Sequence, residues 1–292
     1  MKKKIIAIPK NKLVFGTAQF FKNYGIIEKK NDNALKLLKT AFKNGCRYFD
    51  TSDLYGKSYK IIEKNQKNLN LIIKLSTKKN DKFISLKDFE KKIQKILNEI
   101  KNNNIYGILI HDFNMKFAEK YDDYFSCLIN FCKKKRIKIG FSIYNIKEFN
   151  FLKKKFKFNL IQIPMNVFNR EFLNSEFKKF VRQKKIEIHI RSIFLQGLLV
   201  NDLKYIPNKF KIYKKYFLRW KNFCEKLDIN KIEGCLNFLS KQNLNSKYVI
   251  GFKSENELLE LLNLKLTKKI INYNEFKKIP LLLKSPDLWN KL

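Results

Sequence analysis

A single closed barrel of eight alternating β-strands and α-helices, the α/β (β/α)8 or TIM barrel architecture, is the fold this sequence predicts, as one domain spanning residues 1–292. Three observations predict it. Eight short, continuously apolar runs recur along the chain, stretches of helical period or polar turns separate them, and the runs lead into polar or charged residues. Such runs are too short for helices and too continuous for a sheet wetted on one face, so they fit parallel strands buried on both sides. Strict alternation of strand and helix is the α/β pattern, and eight is the number at which a barrel closes with its interior filled by side chains.

The elements follow in order. The first run, 13–15, leads to Thr17, and a helix is expected over 32–44. The second, 47–49, stops on Asp50 and hands over to small polar residues and then Tyr55-Gly56, before a helix over 58–67. The third, 71–73, ends on Lys74 and precedes a helix over 86–101; the fourth, 107–110, ends on His111 and precedes one over 121–135. The fifth, 137–139, leads to Ser142 and a helix over 146–155, and the sixth, 160–163, contains Gln162 and precedes a helix over 175–185. After the seventh run, 187–190, come Arg191 and Ser192, and a helix is expected over 230–242. The eighth, 248–250, is followed by Gly251 and a helix over 254–262.

Two segments fall outside this repeat. Between Leu195 and Asn230 lies an aromatic and basic insertion with Tyr205, Tyr213, Tyr216 and Trp220, read as a lid over the barrel mouth or as extra helix on its rim. The tail beyond Leu264, with Tyr273, Phe276 and Trp289, is expected to return across the opening or along the outer wall. A doubly wound Rossmann sheet is the competing architecture. The chain has nine glycines, no G-x-G-x-x-G after any strand and no G-x-x-x-x-G-K, so any dinucleotide must be held by other means.

Composition narrows the function classes. No run of about 18 apolar residues exists to span a membrane, and the apolar stretch at the start is too short for a signal peptide, so a cytoplasmic protein is expected. The five cysteines include no C-x-x-C pair and read as reduced thiols. The formal charge of +37 invites a nucleic-acid reading, but the excess is almost all lysine, with six arginines, and is spread along the whole chain. Lys, Asn, Ile and Phe in abundance are also what A+T-rich codons produce, so no specific nucleic acid is expected as partner; the field should still attract anions. Only His111 and His189 could supply imidazole, from different strands, and no metal site is expected. His189, inside a strand, is assigned to packing.

In a barrel the carboxyl ends of all eight strands converge on one mouth. A lysine directly after Leu71-Ile72-Ile73 is expected to be partly buried, and a buried ammonium needs a partner, for which Asp50, one strand over, is the candidate. Singly, Asp50 reads as a strand cap, Tyr55 as packing, Lys74 as a rim residue and His111 as a hydrogen-bonded core histidine. Together they make a proton-donating phenol: Lys74 favours the phenolate, Asp50 anchors the lysine, and His111 orients a carbonyl oxygen.

The segments R-Y-F-D-T-S-D-L-Y-G-K-S, L-I-I-K-L-S, I-L-I-H-D-F, I-G-F-S-I-Y-N, L-I-Q-I-P-M-N and V-I-G-F-K-S, in this order, resemble the aldo/keto reductase family over roughly residues 13–263. The resemblance implies a barrel that binds NADPH, or NADH, in extended form at its carboxyl-end face. By position it implies Tyr55 as general acid with Asp50, Lys74 and His111 completing a tetrad. It places Thr17, Ser142, Gln162, Arg191, Ser192 and Gly251 around the nicotinamide, ribose or pyrophosphate, and Lys253, Ser254 and Asn263 at the adenosine end. Three positions depart from the family pattern. Ile143 stands where many members have asparagine, Arg191 where many have an aromatic ring, and Leu259 where many have an arginine for the 2′-phosphate, so a preference for NADPH rests on Lys253 and Ser254. The block I-R-S-I-F-L-Q-G-L-L-V resembles a bacterial subgroup associated with surface-polysaccharide or nucleotide-sugar metabolism, which implies an anionic or sugar-linked carbonyl substrate. The function so implied is NAD(P)H-dependent reduction of an aldehyde, ketone or keto-sugar; the alternative is a dinucleotide-binding redox sensor or partner subunit with negligible turnover.

Overall fold

Parallel pairing in chain order closes eight strands into a barrel: β1 (Leu13–Gly16), β2 (Tyr48–Ser52), β3 (Asn70–Leu75), β4 (Asn104–Ile110), β5 (Lys138–Ser142), β6 (Leu160–Pro164), β7 (Glu187–Arg191) and β8 (Ser246–Gly251), with β8 returning to β1. This computed structural model describes residues 5–20, 33–267, 270–284 and 286–291. Every expected run overlaps a strand, with Arg47 and Ile137 each one residue ahead of theirs. Several strands continue past their apolar run, through Asp50, Lys74 and Ser142, because the ladder is made by the backbone and does not depend on side-chain polarity.

The helices are α1 (Ala34–Lys43), α2 (Ser58–Asn65), α3 (Leu86–Glu99), α4 (Tyr121–Cys132), α5 (Ile146–Lys155), α6 (Ser175–Gln183), α7 (Lys214–Lys226), α8 (Lys231–Ser240) and α9 (Glu255–Asn263). The expected start of the first, Asp32, lies outside the described residues, as do Met1 to Lys4 of the amino-terminal stretch. Asn33, Ser85, Asn145, Asn174, Asn230 and Ser254 begin their helices by accepting a first-turn N–H. At Asn145 the cap is reciprocal, with Glu148 reaching back to the N-cap backbone.

Two small antiparallel pairs escaped the apolar-run criterion. Ile5–Ala7 pairs with Lys265–Thr267, and Lys78–Lys79 pairs with Lys82–Phe83 across Asn80 and Asp81, both in the left-handed region at φ 49° and 61°. That turn is the kind Asn and Asp tolerate, and two-residue strands leave no periodic signal.

Inside the barrel, Val14, Ile72, Leu109 and Leu160 form an apolar layer flanked by Tyr48, Tyr106 and Val249. Packing there is close enough to dictate residue type: a Cβ on Gly140 would lie 1.7 Å from the carbonyl oxygen of Leu160, so no side chain fits. Beneath this layer, at the amino end, Glu187 accepts from the Tyr106 hydroxyl at 2.6 Å and from Lys138, and pairs with Nε2 of the fully buried His189 at 2.8 Å. Histidine 189 is therefore part of a polar cluster rather than simple packing, because a buried imidazole needs a partner.

This cluster sets an acid limb of stability. Burial pushes the Glu187 carboxyl up, but hydrogen bonds from His189, Lys138 and Tyr106 outweigh it and hold the group well below the usual carboxylate range. Burial lowers the His189 imidazole below 6.5 against the pull of Glu187. In both cases the unfolded chain takes up protons before the folded one, so stability is lost as pH falls, first below about 6.5 and then below about 4.5. The urea midpoint is expected to fall in that order between neutral pH and pH 4; a flat profile would contradict the assignment.

The insertion after β7 is divided. Its first residues wall the barrel mouth, whereas α7 turns Trp220 inward, with Nε1 donating to Leu199 O at 2.8 Å and its ring 5.3 Å from that of Phe276. The tail packs on this segment, Trp289 lying 4.8 Å from Phe210, and none of its described residues lines the mouth. The lid reading is thus limited to the stretch around residues 193–201. The aromatic remainder is drawn into a core shared with the tail, where burial of large rings is most favourable.

Candidate active site

Since all eight strands run parallel, Asp50, Lys74, Ser142, Gln162 and Arg191 sit at the same end of the barrel. Asp50 and Lys74 are 2% and 3% exposed and form a direct ion pair. The pair carries further contacts: Gln162 Nε2 donates to Asp50 Oδ2 at 2.8 Å, and Lys74 Nζ donates to Gln162 Oε1 at 3.3 Å. Burial disfavours the ammonium, but the Asp50 carboxylate and the Tyr55 oxygen outweigh it and hold the Lys74 pKa above its ordinary value. Lys74 is therefore a cation at any working pH. Its Nζ lies 5.0 Å from the centre of the Tyr55 ring.

Tyr55 reaches this position from the loop after β2. A turn closed by Tyr55 N–H to Ser52 O at 3.1 Å and by Leu54 N–H to Ser52 Oγ at 3.1 Å folds the loop back over the strand end. The His111 ring lies edge-on to Tyr55 with centroids 5.9 Å apart, and Nδ1 is 2.9 Å from Ser52 Oγ. Ser52 Oγ also donates toward Asp53 Oδ1 at 3.2 Å, a second acceptor for its one proton; when that proton goes to Nδ1 instead, Nε2 carries the ring proton and can donate to a carbonyl oxygen. Asp53 and Asp112 brace the loops: Asp53 accepts from Lys92 Nζ at 2.7 Å and from Ser76 N–H at 3.1 Å, and Asp112 from Thr77 N–H at 3.1 Å. Neither brace, nor Ser52, was singled out from sequence; the acid in S-D-L-Y and in H-D-F was the available signal.

A cavity of about 440 Å³ opens on this group, a size suited to a small-molecule or cofactor site. Asp50, Tyr55, Lys74, Gln162, Arg191 and Ser192 line it, together with Gly251, Lys253, Glu257 and Glu260. Gly16 and Gly251 face each other across adjacent strands; a Cβ on Gly251 would meet Gln19 Oε1 at 3.0 Å and narrow the opening. Bare backbone here lets a ligand approach closely. Ser192 holds φ 57°, unusual for a residue other than glycine, and turns the chain along the cavity wall.

The remaining residues expected around a cofactor are placed otherwise. His111 does not line the cavity itself. Thr17 is buried with Oγ1 donating to Asp50 O at 3.0 Å, tying β1 to β2. Ser142 Oγ donates to Gln162 Oε1 at 3.4 Å, beneath the lining. Ser254 is the N-cap of α9, accepting from Glu257 N–H at 3.2 Å, and Asn263 ends the same helix in solvent. None of these four faces the cavity. Arg191 does, with Nη2 donating to Ile143 O at 3.0 Å and its guanidinium 4.3 Å from the centre of the Tyr144 ring. Among the described residues no group of three or more His, Cys, Asp or Glu could hold a metal, and no helix is long and apolar enough to cross a membrane.

Known proteins share this arrangement of chain. The glycerol dehydrogenase AKR11B4 from Gluconobacter oxydans superimposes with a TM-score of 0.66 at 16% identity, over 95% of this chain and 94% of that one. The holo form of the aldo-keto reductase AKR11C1 from Bacillus halodurans gives 0.68 at 15% identity, over 96% and 91%. At such identities the likeness is one of fold. No curated protein sequence matches. The model of the aldo/keto reductase family, however, matches residues 12–279, nearly the whole barrel and the insertion with it. With an eight-stranded parallel barrel beneath that match, this chain belongs to the aldo/keto reductase family.

Proposed function

We propose that this protein, folded as one domain, reduces a carbonyl compound to an alcohol at the expense of a reduced nicotinamide dinucleotide, with Tyr55 as proton donor. The family's general activity, NAD(P)H-dependent carbonyl reduction by an oxidoreductase, supports the reaction class. The observation that carries the residue assignment is the buried Lys74 ammonium, paired with Asp50 and 5.0 Å from the centre of the Tyr55 ring, all three residues lining the cavity.

The cavity suits the cofactor: Gly16 and Gly251 leave backbone exposed, and Arg191 and Lys253 supply positive charge to a dinucleotide's phosphates. When bound, the reduced nicotinamide supplies the hydride. The chain's own residues handle the proton. As negative charge grows on the substrate oxygen, Tyr55 O–H transfers its proton to it, and Lys74 stabilises the phenolate left behind. Asp50 holds Lys74 charged and in place, and His111 orients the carbonyl oxygen beside the phenol. An anionic or sugar-linked substrate accords with Arg191 at the mouth and with the basic surface. The cysteines are free and buried, in keeping with a cytoplasmic setting.

Fluorescence titration with NADPH and NADH, followed by a screen of carbonyl compounds that includes keto-sugars, tests the reading; saturable binding with no turnover on any compound would favour the sensor alternative. Cofactor choice can be probed at Lys253. Lys253 lines the cavity, and Ser254 is engaged as a helix cap. Lys253→Ala is expected to weaken NADPH by about tenfold and NADH by less, because a 2′-phosphate adds close to two negative charges. Equal losses for the two cofactors would remove Lys253 from that role.

A further inference from the structure

The resemblance assigns Gln162 to cofactor contact, but its carboxamide is already engaged. It is fully buried at the centre of β6. Nε2 donates to Asp50 Oδ2 at 2.8 Å, while Oε1 accepts from Lys74 Nζ at 3.3 Å and from Ser142 Oγ at 3.4 Å. These neighbours permit one orientation of the amide, since an ionised carboxylate only accepts and an ammonium only donates. Both lone pairs of Oε1 are used, and a single N–H remains for anything else in the cavity.

An ammonium has three N–H donors. In Lys74 one goes to Asp50 and one to Gln162, which leaves a third, and the centre of the Tyr55 ring lies 5.0 Å from Nζ. We infer that Gln162 is a positioning residue for the proton donor: by clamping Asp50 with one end of its amide and Lys74 with the other, it leaves one ammonium N–H directed at the Tyr55 phenol. Ser142 supports it from the neighbouring strand by holding Oε1. This arrangement does for the base of the site what a supporting hydrogen bond does for a metal-bound imidazole: it fixes the direction of a group that would otherwise have several low-energy orientations. The inference rests on the reading of Tyr55 as proton donor.

The test separates positioning from cofactor contact. Tyrosine ionisation is followed by carbon-13 NMR of protein labelled at tyrosine Cζ, with the Tyr55 signal identified by its loss in Tyr55→Phe. In Gln162→Met the Tyr55 titration is expected to move alkaline by about one pH unit, as the ammonium no longer points at the phenol. The dissociation constant for NADPH, read by fluorescence, is expected to change less than about threefold, since one N–H at most is withdrawn from the cofactor. Ser142→Ala, which leaves the glutamine in place, should give a smaller shift of the same sign, and it decides the matter should Gln162→Met not fold. An unmoved Tyr55 titration in protein that binds the dinucleotide overturns this inference alone. Binding of neither NADPH nor NADH by the native protein overturns the reductase reading and this inference with it.

Discussion

Tyr55→Phe is expected to reduce carbonyl turnover by about 100- to 10,000-fold, the range over which a positioned general acid contributes, while the dissociation constants for NADPH and NADH stay close to native. The phenyl ring keeps the packing of Tyr55 against His111 and over Lys74, so only the proton is withdrawn. A loss confined to kcat identifies an interaction made in the transition state; a matching rise in KM with kcat intact identifies ground-state binding. Unchanged turnover in steady-state assays would refute Tyr55 as donor, whatever the substrate.

The second large effect concerns the buried pair. Lys74→Met should abolish measurable turnover and also cost about 3–5 kcal/mol of folding stability, because the Asp50 carboxylate is left buried without its counter-charge. Gln162 Nε2 would remain as a donor to Asp50, which places the expected loss toward the lower end of that range. The double variant Asp50→Asn with Lys74→Met removes both charges and should recover most of the stability and none of the activity. Urea denaturation read alongside turnover distinguishes the two contributions. A single variant as stable as the native protein would show that the pair is not held as described.

Much of this protein was readable from its residues in order. The eight apolar runs named the eight strands because a barrel strand is buried on both faces, and a run such as Leu71-Ile72-Ile73 has no other economical use. Lys74 and Asp50 were legible as partners for the same reason, since an ammonium at the end of a buried run requires a counter-charge and the next strand supplied one. The two small antiparallel pairs were not legible: two or three residues carry no period, and Ile5–Ala7 finds its partner some 260 residues away.

What the sequence by itself determined, then, was the repeat, the end of the barrel at which its polar groups gather, and the identity of the four residues proposed for the proton's path. Tertiary structure alone decided what each neighbouring side chain is free to do. Thr17, Ser142 and Ser254 read equally well as ligand contacts until the fold engages their hydroxyls on Asp50 O, Gln162 and the first turn of α9. Gln162, which lines the cavity, has its amide engaged by Asp50 and Lys74. The physical reason is that a strand's register fixes which face a residue lies on, whereas the direction of a hydrogen bond is set by partners from other strands.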